Sequence, residues 1–367
     1  MLFGRSAALP AEPTMKIIAI SFTLFLGSFL IAQEPKPLTP AETKASFLKM
    51  LDRPKVKIEV DLGAPKKKGN LIEESLSFPS EKNQQVPVLV LRPDYKLEEV
   101  ERRPCVILLH GTGGNKESQR PWMEEFAKLG FVAVAIDARY HGERSGGKRG
   151  SEAYVEAITK AWQTPAGQAH EHPWFYDTCW DLWRLLDYLE TREDVDAKRI
   201  GMIGISMGGI QTWMAAACDD RVAAAAPLIA AQSLKWSLDN EKWQGRANTI
   251  KATHLAAAKD LGEKEVNSKV CRELWAKIVP GITAEFDCPN MLPLFAPRPL
   301  FIANGELDPN CPIEGAKLAI QATEKAYRAK DAKDKLEVHI AAGIAHKVTD
   351  EQHKACTEFM VKWLKPR

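Results

Sequence analysis

Arg199-Ile-Gly-Met-Ile-Gly-Ile-Ser206-Met-Gly-Gly209 is the stretch on which the reading of this chain turns. Arg199 to Ile205 has the apolar composition of a strand buried on both faces, and Gly208 to Ala217 has a helical pattern. A serine at such a strand-to-helix turn, with glycine two residues to either side, fits the sharp turn that lifts a hydroxyl to the end of a sheet. A serine hydroxyl is a weak nucleophile at neutral pH. It needs a base for its proton and donors for the oxyanion that forms. Ser206 is therefore the candidate nucleophile. The plain alternative is a serine that caps the helix, and the strand and helix around it weigh against that.

Working outward, the same rhythm repeats. Cys105 to Leu109 and Phe131 to Ile136 read as buried strands, as do Val222 to Ile229, Pro299 to Ala303 and Leu336 to Ile340. Helix patterns cover about 119–129, 176–190, 312–329 and 350–364. Alternation of this kind predicts an α/β fold with a mostly parallel central sheet and helices on both faces. A first helix falls near residues 41–51. Leu71 to Phe78 and Val86 to Leu91, separated by Pro79-Ser-Glu-Lys-Asn83, predict an antiparallel hairpin at a sheet edge, within a leading region of residues 70–104. Residues 231–298 break the rhythm and read as a helical lid insertion, with 148–175 as a shorter second one.

An acid and a base must follow Ser206 in the order serine, acid, histidine. Asp308, in Asn304-Gly-Glu-Leu-Asp-Pro309 at the end of a strand, is the candidate acid; Glu306 and Asp350 are its competitors, and an Asx turn before Pro309 is the structural alternative. His346, in the loop beyond strand 336–340, is the candidate base. His339 reads as a sheet-face side chain and His353 as a solvent-facing one. For the oxyanion, the candidate donors are the backbone N–H of Met207 and that of Thr112, in His110-Gly-Thr-Gly-Gly114, with Gly111 as the alternative. That loop lacks the spacing of a phosphate-binding motif. Arg139 and His141, in Asp137-Ala-Arg-Tyr-His-Gly-Glu143, are candidate substrate contacts that would shape the pocket or bind an acidic group; a loop held by its own ion pairs is the alternative. His170-Glu-His172 has no further metal ligands at suitable spacing and reads as a solvated loop. No metal and no cofactor are expected.

Basic and acidic residues number 50 and 48, so charge gives no reason to expect a nucleic-acid partner. Met15-Lys16 leads into the apolar run Ile17 to Ile31, then Ala32 and a polar break. This reads as a secretory signal peptide with an upstream extension, residues 1–32, ahead of one domain at 33–367. The expected location is secreted or periplasmic, and the run is short for a membrane span. Seven cysteines are scattered without a C-x-x-C pair. Cys105 and Cys218 read as buried thiols, and Cys271, Cys288 and Cys311 as the better bridge candidates.

Taken together, the motifs at 108–114, 137–143, 199–209 and 305–308, the late His346 and the leading hairpin resemble the dienelactone hydrolase and acetylxylan esterase branch of the α/β-hydrolases over residues 70–365. The resemblance implies carboxylic-ester hydrolysis through an acyl-serine, without a cofactor. Dienelactone hydrolases proper use cysteine and are compact. Ser206 and the 231–298 insertion therefore turn the expectation toward an exported esterase on a carbohydrate ester. An aminopeptidase or oligopeptidase on the same three residues, and a non-catalytic binding protein of this fold, are the competing functions. An acyltransferase is chemically open to the same residues.

Overall fold

The computed structural model describes residue 4 and residues 38–95 and 101–365, so the apolar segment 15–32 lies outside the described residues. One ten-stranded sheet organises the chain from residue 38 onward. Its first strands are β1 (Asp61–Leu62), β2 (Lys66–Lys68), β3 (Leu71–Glu81) and β4 (Gln84–Pro93). The rest are β5 (Arg103–Leu109), β6 (Val132–Ile136), β7 (Val195–Ile205), β8 (Val222–Leu228), β9 (Leu300–Gly305) and β10 (Leu336–Ala341). The order across the sheet is β1-β3-β4-β6-β5-β7-β8-β9-β10, with β2 paired to β3. β6 to β10 run parallel, while β3 and β4 form the antiparallel hairpin near one edge.

The hairpin is longer than its apolar core suggests. It continues through Pro79–Glu81, where the register shifts. β7 likewise starts at Val195, because Val195 pairs with Arg103 although Asp196 and Lys198 interrupt the apolar run.

Alternation along the strands sorts the core into two faces. Val106 and Leu108 pack with Ala133 and Ala135 beneath α2 (Arg120–Lys128) and α12 (Asp350–Leu364). Cys105, Ile107 and Leu109 face the larger core. There they meet α1 (Pro40–Met50), α4 (Tyr176–Leu189), α5 (Met207–Cys218) and α11 (Ile313–Ala329). Trp180 and Trp183 of α4 belong to this core.

The two insertions are one structure. The first contributes α3 (Glu152–Gln163); the second contributes α6 (Leu234–Asp239), α7 (Gln244–Asn248), α8 (Lys251–Asp260) and α9 (Ser268–Ile278). α3 packs on α8 and α9. Thr159 and Thr253 share a 2.8 Å hydrogen bond, Trp162 Nε1 donates to Asp260 at 3.0 Å, and Lys277 Nζ donates to Thr164 O at 2.6 Å. The predicted lid is therefore shorter than 231–298. Its return, with α10 (Cys288–Met291) and the turn Leu292–Phe295, packs on α1, α5 and α11.

No bridge joins Cys271, Cys288 or Cys311. All seven cysteines are free and buried. The expected bridges are thereby corrected.

Candidate active site

Ser206 sits between β7 and α5 with φ 56° and ψ −112°, a conformation that costs a non-glycine residue free energy and marks a constrained turn. Backbone bonds hold it there: Ser206 N–H donates to Leu228 O, and Ile210 N–H to Ser206 O, both at 2.9 Å. The flanking glycines are there for space. A Cβ on Gly204 would stand 2.1 Å from Gly208 O, and one on Gly208 would stand 2.6 Å from Leu109 O. Only hydrogen at these positions lets β7, α5 and the end of β5 meet so closely.

His346 arrives from the loop after β10. Its Nε2 lies 2.7 Å from Ser206 Oγ, and its Nδ1 lies 2.7 Å from Asp308 Oδ2. Asp308 is 2 % exposed. Its other oxygen accepts the N–H of Asn310 at 2.8 Å and of Cys311 at 3.2 Å. The Asx turn and the histidine contact are thus made by one carboxylate, with different oxygens. A carboxylate at Nδ1 favours the tautomer that keeps Nε2 free to accept the serine proton.

The rim loops are locked by backbone. A Cβ on Gly305 would lie 2.1 Å from Ala345 O, so glycine is what allows the histidine loop to cross the end of β9. Leu307 N–H donates to Ile344 O, and Glu306 Oε2 accepts Gly343 N–H, both at 2.8 Å. Glu306, the competing acid, therefore pins the histidine loop. The glycine-rich loop after β5 lies against the serine, with the Gly111 Cβ position 3.6 Å from Ser206 Cβ. Among the described residues, the amides of Gly111, Thr112 and Met207 donate to no group of the chain.

Sequence reasoning missed what positions that loop. His110 Nδ1 donates to Gly111 O at 2.8 Å, and its Nε2 accepts Ala138 N–H at 3.1 Å. Burial pushes its pKa down, so the ring stays neutral and keeps both roles. Asp137 accepts the N–H of Lys116, its ammonium, and the N–H of Glu143, at 2.8, 2.9 and 3.0 Å. Its carboxyl also fills the space that a Cβ on Gly142 would take, at 2.3 Å. The signal was present in the motif Asp137 to Glu143, but only the fold shows that it fastens the loop to β6.

Arg139 is not a substrate contact. It is 1 % exposed; its Nε and Nη2 donate to Asp181 at 2.8 and 2.9 Å, and Nη2 also meets Glu81. The guanidinium is spent on ion pairs. His141 is fully buried, with Nδ1 2.8 Å from Arg139 O and Nε2 unpartnered. His170 and His172 are not a solvated loop. Their rings reach Lys277 O at 3.3 Å and Ile278 O at 3.1 Å, so they fasten the first insertion to α9. His339 lies on β10 against Phe301. His353 is half-buried over Trp122 rather than solvent-facing, with ring centroids 4.1 Å apart. Asp308, Cys311 and His346 offer donor atoms within 4.8 Å of one another. The hydrogen bonds above already engage the carboxylate and Nδ1.

A family model described as alpha/beta hydrolase fold matches residues 104–257. "Putative hydrolase YtaP" of Bacillus subtilis (strain 168) is 26% identical over 274 residues, 71% of this chain and 79% of that protein. Two solved structures superpose over 90% of this chain at 18% identity with TM-score 0.63. One is acetyl xylan esterase 1 from Thermoanaerobacterium sp. JW/SL YS485, covered to 95%; the other is an acetyl xylan esterase from Paenibacillus sp. R4, covered to 97%. The protein has the α/β-hydrolase fold. Those two similar structures are acetyl xylan esterases, and the likeness to them is one of fold.

Proposed function

We propose that the protein is an exported serine carboxylic-ester hydrolase that removes acyl groups, acetyl foremost, from a carbohydrate ester. The observation that carries this is the relay of two 2.7 Å contacts from Asp308 through His346 to a serine held at positive φ. That the similar structures are acetyl xylan esterases supports the ester and carbohydrate parts. His346 takes the Ser206 proton while Oγ bonds to the ester carbonyl carbon. The oxyanion settles on the N–H groups of Met207 and Thr112. His346 returns the proton to the departing alcohol as the carbon–oxygen bond breaks, leaving an acyl-serine. Water then loses a proton to His346, attacks the acyl carbon, and Ser206 recovers its hydrogen. Export rests on the segment Met15–Ala32.

The test is turnover of 4-nitrophenyl acetate and acetylated xylan by the purified protein, with a fluorophosphonate adduct located on the Ser206 peptide. Hydrolysis of a peptide library in place of the esters would favour the peptidase reading. The N-terminus of the mature protein, sequenced after expression in a secreting host, tests cleavage near Ala32.

A further inference from the structure

Asp308 faces His346 with one oxygen and its own turn with the other. Oδ2 lies on His346 Nδ1, while Oδ1 accepts the N–H of Asn310 at 2.8 Å and of Cys311 at 3.2 Å. Those two N–H groups belong to consecutive peptide units, Pro309–Asn310 and Asn310–Cys311. A trans peptide is planar, and its C=O points away from its N–H. The carbonyls of Pro309 and Asn310 therefore point away from the carboxylate. What meets them there decides whether the N–H groups stay aimed at Oδ1.

The start of α7 meets both. A Cβ on Gly245 would stand 2.0 Å from Pro309 O and 2.9 Å from Asn310 N, so glycine lets the helix lie directly on the first unit. Arg246, the next residue, is 3 % exposed, and its Nη2 donates to Asn310 O, the oxygen of the second unit, at 3.1 Å. Gln232 Oε1 accepts from the same nitrogen at 3.1 Å and holds the guanidinium in place. Nη2 also lies 3.5 Å from Cys311 Sγ. Burial pushes that thiol up to about 12, so it keeps its proton, donates it to Ile229 O at 3.3 Å and presents sulfur lone pairs to the arginine. The turn is thus fastened both to α7 and to the residue that follows β8.

The charge of Arg246 has a use here that an ion pair does not explain. Among the described residues, its hydrogen bonds reach no carboxylate. Burying a guanidinium without one is costly, and a neutral donor would satisfy Asn310 O as well. A charged donor on that oxygen polarises the peptide and strengthens the N–H at its other end, the one that binds Oδ1.

We infer that Arg246 is a positioning residue for the relay: by fixing and polarising the Asn310–Cys311 peptide it holds Asp308 Oδ1, so that Oδ2 stays on His346 Nδ1. Gly245 does the same for the preceding peptide by close contact, and the helical insertion reaches the reaction geometry through α7. This rests on the serine-hydrolase reading and adds what supports its acid. The test compares wild type, Arg246→Met and Arg246→Lys in two assays. One is hydrolysis of 4-nitrophenyl acetate; the other is the rate at which a fluorophosphonate labels Ser206, which needs an activated serine but no ester. Arg246→Met is expected to lower kcat and the labelling rate by about tenfold or more, with KM within about threefold. Arg246→Lys, which keeps a charged donor, should recover most of both. Arg246→Gln, neutral and too short to reach Asn310 O, stands in if Arg246→Met does not fold. A merely structural role would instead lower the fraction of molecules labelled at completion and leave the rate of the rest unchanged. That result overturns the inference, as do rates within about twofold of wild type, or a lysine variant no faster than the methionine one. Wild type that labels at Ser206 but cleaves no ester ends the ester reading, and the labelling rates then decide the inference alone. If Ser206 of wild type does not label, both fall.

Discussion

The rim that carries Ser206 and the helical cap beside it differ in what holds them, although Gly245 of the cap also packs its backbone on Pro309. At the rim, backbone packs on backbone. Gly204, Gly208 and Gly305 sit where a single carbon would collide with a carbonyl, and the loops they admit are tied by amide hydrogen bonds. In the cap, side chains reach across to another segment: Trp162 to Asp260, Lys277 to Thr164 O, His172 to Ile278 O. Backbone contacts tolerate almost no displacement, whereas long side chains adapt. The difference separates a part of the molecule that fixes reaction geometry from a part in which substrate preference can be retuned.

The strongest way to break that division is at the serine. Ser206→Ala is expected to lower kcat for 4-nitrophenyl acetate by about 10⁴-fold or more; a loss below tenfold would remove Ser206 from the chemistry. Ser206→Gly should be equally inactive yet more stable, by about 1 kcal/mol or more, because glycine accepts φ 56° without strain. Urea unfolding of the two variants measures this.

Next comes Gly305→Ala. The new methyl would push the carbonyl of Ala345 and with it His346, and a displacement of about 1 Å costs on the order of 10²-fold in kcat. Its counterpart in the cap, Lys277→Met, loses the bonds to Trp162 O and Thr164 O and should move KM by roughly threefold with kcat unchanged. Steady-state kinetics of the pair sharpen the comparison, and equal effects on kcat would dissolve it.

Asp287 ties the start of α6 to α10, accepting from Ser233 Oγ at 2.5 Å and from the amides of Leu234 and Cys288 at 2.9 Å. Burial nonetheless pushes its carboxyl up to about 6 from 3.8. A carboxyl raised on folding contributes stability that is complete below the unfolded value and is lost as pH rises through the folded one. The Tm of wild type, measured against that of Asp287→Asn, should therefore fall between about pH 4 and pH 7. Parallel curves would refute the shift. The smallest effect is chemical: with all seven thiols buried, a disulfide-exchange reagent should find none in the native protein and seven after denaturation.

Much of this was legible along the chain. Buried strands announce themselves as unbroken apolar runs, and the rim residues follow because a parallel sheet delivers every strand end to one side. Helix 350–364 and Asp350–Leu364 coincide because Thr349 and Gln352 form a capping box at its start. What escaped were features with no local period. The beginning of β7 is polar and becomes a strand only by pairing with Arg103. His110 and Asp137 looked like motif residues without a task until β5 and β6 stood side by side.

Sequence by itself determined the sheet, the order serine, aspartate, histidine at its strand ends, and the glycines that let those ends meet. Tertiary structure alone decided the partners of buried charge. Among the described residues Arg139 found Asp181 and Glu81, while Arg246 found Gln232, Asn310 and Cys311, and nothing local distinguishes the two arginines. The reason is physical: a strand or a turn is specified by neighbours along the chain, but the field around a buried guanidinium is summed over every segment that folds against it.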